Sequence, residues 1–267
     1  MSENGIIASL HTDFATTLTG RFSRAVKEYR LVENGDSIAV CISGGKDSML
    51  MAALFKNFKR FSGIDFSVRY LVMDPGYSEE NLALIKDNAA LLEIPIDIFK
   101  TDIFEATANT RDNPCFLCSK MRRGYLYRKA QALGCSKIAL GHHFDDIIES
   151  ILMGMLYGGQ TQTMLPRLKS QNCEGMELIR PMYFIRERDV IRWGEANNLR
   201  FAPCGCSLAK RETDSKRAEV KRLIASLAAE NPQVEQNIFR AVHNVRLDRI
   251  ISYKDEDGEH SFLEKFD

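Results

Sequence analysis

The sequence predicts an α/β protein: a doubly wound, mostly parallel sheet flanked by helices, with a helical segment before it and a helical extension after it. Three observations carry that reading. Short apolar runs of strand length alternate with longer runs of helical spacing, two glycine-bearing corners each end a strand and open a helix, and no internal repeat replaces this alternation. A chain of 267 residues can bury a full core, and 45% hydrophobic with 27% charged residues excludes a disordered protein. No stretch reaches membrane-span length, and Met1 to Gly5 lacks the basic start of a signal peptide, so a cytoplasmic protein with no membrane association is expected.

The elements follow in order. Residues 13–33 place Phe14, Leu18, Phe22, Ala25 and Tyr29 at helical spacing, which predicts an amphipathic helix ending at Asn34-Gly35. The apolar run 37–42 reads as a strand, 48–60 as a helix and 66–73 as a second strand closed by Asp74-Pro75-Gly76. A helix over 78–92 precedes a strand opened by Pro95, then a loop with the first cysteine pair, then a helix to about Leu133. The strand 137–141 leads through Gly141-His142-His143-Phe144-Asp145-Asp146 into a helix over 147–157. After a polar loop from Gly158 to Thr163, a short strand over 177–182 and a helix from Arg186 to about Asn198 lead to the second cysteine pair. The part from Thr213 to Arg249 is mostly helical in pattern, broken at Asn231-Pro232. In such a sheet, ligands bind beyond the carboxyl ends of the strands.

The most informative corner is Ser43-Gly44-Gly45-Lys46-Asp47-Ser48. A strand that breaks on two glycines and opens a helix presents free backbone N–H groups and a positive dipole end, which together suit an anionic phosphate. A Walker loop needs four residues between its glycines, and here the glycines are adjacent. Any strand-to-helix corner favours glycine; turning does not require Ser, Lys, Asp and Ser at the same place. At the second corner one carboxylate would suffice to cap the helix. Two aspartates with two histidines beside a phosphate site point in addition to Mg²⁺ or pyrophosphate handling.

Seven cysteines, an odd number, argue against a disulfide framework in a cytosolic chain. Cys41 and Cys135 lie in or beside strand-like runs, as small buried hydrophobes do, and Cys173 lies in a polar loop. Cys115-Phe116-Leu117-Cys118 and Cys204-Gly205-Cys206 are each followed by a basic run. Such pairs serve a redox dithiol, a zinc site or an iron–sulfur cluster. The chain has 36 basic and 36 acidic residues, so nucleic acid would be met by local patches and not by a global field.

Taken in order, Ser43 to Ser48, Cys115 to Tyr127, Gly141 to Asp146, Tyr157-Gly158-Gly159, Ile179 to Met182, Arg186 to Asp189 and Pro203-Cys204 resemble the tRNA 2-thiocytidine synthetase (TtcA) family, within the PP-loop ATP pyrophosphatase superfamily. The resemblance covers most of residues 20–222. It implies a PP-loop ATP pyrophosphatase domain with an iron–sulfur site over 36–206, between an N-terminal helical segment (1–35) and the helical extension (207–267). It also implies ATP, Mg²⁺ and a [4Fe–4S] cluster as cofactors, the cluster being held by Cys115, Cys118 and Cys204 with one iron free to carry sulfide. ATP would adenylate the C2 oxygen of an anticodon-loop cytidine, and sulfur would then displace AMP to give 2-thiocytidine. Ser43, Gly44, Gly45, Lys46, Asp47 and Ser48 would bind the nucleotide, with Asp74, Gly141 and His142 nearby. Asp47, Asp145 and Arg122 are the catalytic candidates, and Arg122 with Arg123 would meet a phosphate or adenylate charge. The partners implied are tRNA and a sulfur donor such as a cysteine desulfurase or free sulfide, with a homodimer as a way to enlarge the tRNA footprint. The second pair is Cys-x-Cys where the family usually has Cys-x-x-Cys, which leaves Cys206 as the alternative third ligand.

Three other functions compete. A ligase of the lysidine synthetase type needs no cluster, so the cysteine pairs argue against it. A zinc-stapled nucleotide-binding module would use all four paired cysteines and form no AMP. Thiolation of a different tRNA base or of a small molecule would use the same residues.

Overall fold

The computed structural model describes residues 5–103, 114–202 and 216–266, with the side chains of 114–119 and of residue 265 outside the description. Two compact units divide the chain: residues 1–147 with 164–215, and residues 148–163 with 216–267.

The first unit is built on a six-stranded sheet. Its strands are β1 (Ser37–Ile42), β2 (Ser67–Asp74), β3 (Ile96–Lys100), β4 (Lys137–Ala139), β5 (Arg167–Lys169) and β6 (Glu177–Ile179), in the spatial order β3-β2-β1-β4-β6-β5. All neighbours pair parallel except β5, which runs antiparallel along the outer edge of β6. Beginning at β1 the chain builds outward through β2 and β3, then returns to place β4 on the other side of β1. That reversal opens a crevice between the carboxyl ends of β1 and β4, the usual ligand position in a doubly wound sheet. β1 is buried at five of its six residues, as a central strand covered on both faces must be.

Helices α3 (Lys46–Phe61), α4 (Glu79–Leu91), α5 (Pro114–Ala132) and α7 (Glu187–Ala196) cover the sheet, and α6 (Phe144–Gly158) starts in this unit. On one face Tyr127 and Ala130 of α5 pack with Ala39, Cys41, Leu71, Cys135 and Ile138. Cys41 and Cys135 are both free thiols in this core, and burial, with the neighbouring Cys135, pushes the Cys41 thiol up to about 12. They serve as small hydrophobes, as their place in the sequence suggested. Elsewhere in this unit Phe22 meets Phe55 edge to face at 5.3 Å, and Trp193 is fully buried.

Before the extension, the main differences between the structure and the sequence reading are four. The expected helix over 13–33 is a π-helix (Ala15–Gly20) running into α2 (Arg21–Glu28), after a short α1 (Gly5–Ser9); it stops early because Arg30 turns left-handed at φ 49°. The first cysteine pair is not in a loop, because the α5 backbone is helical from Pro114, a residue suited to a first turn. β5 was not anticipated: three residues, Arg-Leu-Lys, carry too little pattern, and their strand conformation comes from pairing with β6. Finally, α6 begins at Phe144, three residues before the expected start.

The second unit holds the rest of α6 from Ile148, helices α8 (Lys216–Glu230) and α9 (Val234–Ala241), and a hairpin of β7 (Ser252–Lys254) and β8 (Glu259–Ser261). The extension is thus helical with a terminal hairpin. Arg217 of α8 donates to the buried Glu149 of α6 at 2.7 Å, and Lys216 lies over the Tyr157 ring at 4.9 Å. No helix among the described residues is long and apolar enough to cross a membrane.

Candidate active site

Two corners meet at the β1–β4 crevice. In the first, Gly44 takes φ +84°, and a Cβ there would stand 2.5 Å from Ile85 of α4, so both the turn and the packing require glycine. Gly45 is the N-cap of α3 and provides no side-chain cap, which leaves the first-turn amides for a ligand. Ser48, buried, braces the turn from inside: its hydroxyl donates to the Gly45 carbonyl at 3.0 Å and accepts from the Ser43 amide at 3.1 Å. The Ser43 hydroxyl, on an exposed residue, donates to Ser48 Oγ at 3.2 Å. Ser43 is therefore the hydroxyl at the surface of the cradle, and Ser48 shapes it.

Lys46 lies 3.1 Å from both Asp47 and Glu187. Burial opposes its charge, but the two carboxylates outweigh burial and raise its pKa above the ordinary value. Asp47 spends one oxygen on Lys46, while its Oδ1 is buried with no hydrogen-bond partner. A buried carboxylate oxygen left unpaired is costly, so this atom marks a place for a cation or a donor that arrives with the substrate.

The second corner approaches the first closely. A Cβ on Gly141 would meet Asp47 C and O and Ser48 N at 3.2 Å each, so any side chain there would press on the backbone at the start of α3. His143 is the N-cap of α6 and closes it reciprocally: Asp146 N–H donates to His143 Nδ1 at 3.4 Å, and His143 N–H donates to Asp146 Oδ2 at 2.9 Å. This is capping-box logic with His and Asp in place of Ser and Glu. The ring is buried and turns Nε2 toward Asp47 Oδ1, 3.6 Å away. Asp145 is held elsewhere, accepting the Glu187 N–H at 2.7 Å with Arg186 at 3.5 Å. It therefore caps α7.

Of the remaining expected residues, His142 follows Gly141, and its Nδ1 accepts from Arg180 Nε at 3.3 Å. Asp74 is buried, and its Oδ1 accepts from the Gly76 and Tyr77 amides at 2.9 and 2.8 Å, which makes it the pivot of an Asx turn. That turn reaches the cradle through Tyr77, whose hydroxyl donates to the Ser43 carbonyl at 3.1 Å. Arg122 stands half-buried on α5. The side chains of Cys115 and Cys118, and all of Cys204 and Cys206, lie outside the described residues. Ala202, two positions before Cys204, donates its N–H to the Gly44 carbonyl at 3.1 Å, so the last described residue before the second cysteine pair is tied to the first corner. Among the described residues no group of three or more His, Cys, Asp and Glu is arranged to hold a metal ion.

The sequence reading counted His143 only as one of two histidines beside the phosphate site and missed its capping role. Its signal was present, since a histidine three residues before an aspartate at a helix start can cap it, but placing the helix start at Ile147 hid the pair.

A family model described as a PP-loop domain matches residues 15–204. Over 237 residues the chain is 35% identical to the tRNA-cytidine(32) 2-sulfurtransferase of Coxiella burnetii (strain RSA 493 / Nine Mile phase I), covering 86% of this chain and 90% of that protein. The chain belongs to the PP-loop family of tRNA-cytidine(32) 2-sulfurtransferases. Another member of this family, from Anaeromyxobacter dehalogenans (strain 2CP-C), is 34% identical over 84% of this chain and 77% of its own. The sulfurtransferase fold described here is shared with a solved structure, the U34-tRNA thiolase NcsA from Methanococcus maripaludis with its [4Fe-4S] cluster. That pair gives a TM-score of 0.65 at 21% identity, over 86% of this chain and 80% of the thiolase. The mostly parallel sheet expected from the sequence is the one observed, and the cradle, the second corner and α5 all fall within the matched PP-loop domain.

Proposed function

We propose that this protein is an ATP-dependent tRNA sulfurtransferase that converts a cytidine of the anticodon loop to 2-thiocytidine. The observation that carries the reading is the uncapped corner at Gly45 with the buried, unpartnered Asp47 Oδ1 beside it. Such a corner binds the phosphates of ATP through backbone amides, with Lys46 as a fixed positive charge.

The chemistry has two displacements. The cytidine C2 oxygen attacks the α-phosphorus of ATP, forming a P–O bond as pyrophosphate leaves. A sulfur nucleophile then bonds to C2, the C2–O bond breaks, and AMP carries the oxygen away. Asp47 Oδ1 is the atom to receive Mg²⁺ or the acceptor, because it is the carboxylate oxygen that folding leaves unsatisfied. Asp145, already capping α7, positions the second corner, and Arg122 meets charge on the adenylate. Cys115 and Cys118, with Cys204 or alternatively Cys206, would hold a [4Fe–4S] cluster, which would supply sulfur drawn from a donor such as a cysteine desulfurase or free sulfide. This assignment is supported by the helical backbone that places Cys115 and Cys118 one turn apart, and by the anchoring of Ala202 on Gly44.

The test is anaerobic purification followed by iron, acid-labile sulfide and zinc analysis, with AMP and 2-thiocytidine measured after incubation with ATP, Mg²⁺, sulfide and unmodified tRNA. About four irons, lost in Cys115→Ala and Cys204→Ala but kept in Cys206→Ala, with thiocytidine formed by the wild type, is the expected result. Stoichiometric zinc needing all four cysteines, with no AMP formed, would sink the reading. Asp47→Asn should lower kcat by on the order of 10²-fold, while ATP still binds.

A further inference from the structure

Between the two corners lies a contact that the capping of α6 does not require. A helix N-cap needs one acceptor for one first-turn amide, and a serine or asparagine supplies it. His143 supplies it from Nδ1, which receives the Asp146 N–H at 3.4 Å. The rest of the ring is surplus to that task, yet it is buried: the residue is 4% exposed, and its far nitrogen, Nε2, stands 3.6 Å from Asp47 Oδ1 at the start of α3.

The bond made by one ring nitrogen decides which nitrogen carries the proton. Nδ1 faces the Asp146 amide hydrogen, so it presents its lone pair and the neutral ring keeps its proton on Nε2. Two carboxylate oxygens also lie near Nδ1, Asp146 Oδ2 at 3.4 Å and Asp145 Oδ2 at 3.7 Å. Each already accepts a backbone N–H, from His143 at 2.9 Å and from Glu187 at 2.7 Å. The Nε2–H dipole therefore points at the unpaired oxygen of Asp47, while Lys46 holds the other oxygen at 3.1 Å. Donors on both sides fix the plane of the carboxylate, and Oδ1 keeps lone-pair capacity for a ligand. The Nε2 to Oδ1 gap exceeds a normal hydrogen bond by roughly half an ångström. Contacts of this kind tighten when a ligand arrives.

We propose that His143 is a positioning residue for Asp47, its Nε2–H holding the Oδ1 edge of that carboxylate ready for the divalent cation that accompanies ATP. This role rests on the proposed use of the first corner by Mg²⁺-ATP, and not on the sulfur step. It gives the imidazole two tasks, one at each nitrogen: Nδ1 closes α6, and Nε2 serves the open corner.

The two nitrogens can be tested separately, because asparagine places an amide oxygen near the Nδ1 position and glutamine places an amide nitrogen near the Nε2 position. ATP affinity is measured by calorimetry over a range of Mg²⁺ concentrations, without tRNA, beside thermal melting of each ligand-free protein. His143→Asn keeps the cap and should melt close to the wild type, while the Mg²⁺ concentration needed for half-maximal ATP binding rises by about tenfold. His143→Gln should show the opposite pattern, a lower melting temperature with a Mg²⁺ requirement within about threefold of the wild type. In an Asp47→Asn background, His143→Asn should shift the Mg²⁺ requirement no further, since the group it positions is gone. His143→Ser, which also caps and lacks the ring, takes the place of His143→Asn if that variant does not fold. A Mg²⁺ requirement that moves by less than about threefold in the capped, ring-less variant overturns the proposal. So does wild-type ATP affinity that is indifferent to Mg²⁺. Wild-type protein that binds ATP with the expected Mg²⁺ dependence but makes no thiocytidine would overturn the sulfurtransferase reading and leave the role of His143 standing.

Discussion

The corner after β1 and the corner after β4 are built from the same parts and used in opposite ways. Each ends a parallel strand, turns on glycine and opens a helix. After β1, glycine occupies the N-cap of α3 and no side chain closes it. After β4, His143 and Asp146 satisfy each other's amides, so α6 closes its own N-terminus. A helix start can serve a ligand or satisfy itself, and the residue at the N-cap decides which. The open corner leaves its first-turn amides for an anion. The closed one is a wall that supports it, bringing the His143 ring against Asp47.

The contrast can be broken first at Gly44. Gly44→Ala puts a Cβ into Ile85 and forces an L side chain to φ +84°, so ATP binding should fall by at least 100-fold and stability by about 1–3 kcal/mol, read by calorimetry and thermal melting. Gly141→Ala acts on the join between the corners. Its Cβ meets α3 backbone at 3.2 Å and pushes the two apart, so kcat should drop by on the order of 10²-fold with a smaller loss of ATP affinity. Retention of full activity would mean that the corners work independently.

Asp146→Ala tests the closed corner. Loss of a cap should cost about 1 kcal/mol in denaturant unfolding, with ATP affinity within a factor of about three. A large loss of ATP affinity with unchanged stability would reverse the roles assigned to the two corners. The smallest effect concerns pH. Lys46 has a pKa raised above its ordinary 10.5, so its contribution is fully present below that value and is lost only as pH rises through the raised one. ATP affinity measured from pH 7 to 9 should show no step from Lys46, and a tenfold loss by pH 9 would remove it from the phosphate site.

Strand β1 was legible to the residue, because a fully buried strand reads as an unbroken apolar run ended by glycine. So was Ser78 as the start of α4, where it caps by accepting the Asn81 N–H at 3.3 Å. The strand-to-helix corner at Ser43 to Ser48 was legible for the same reason, since a turn and a helix start place their demands on one short segment. The division of labour within it was not. Ser43 and Ser48 look equivalent in sequence, yet burial makes one a brace and leaves the other at the surface.

Local composition and periodicity therefore determined by themselves the α/β class, the order of most elements and the place of the cradle, because those depend on neighbours within a few residues. Tertiary structure decided what depends on distant ones. It added β5, whose three residues become a strand only when β6 offers partners. It gave Asp145 to the start of a helix 42 positions away and left Asp47 Oδ1 without a partner. It also buried Arg180 and set its guanidinium against His142, 38 positions earlier, a contact that no local rule predicts.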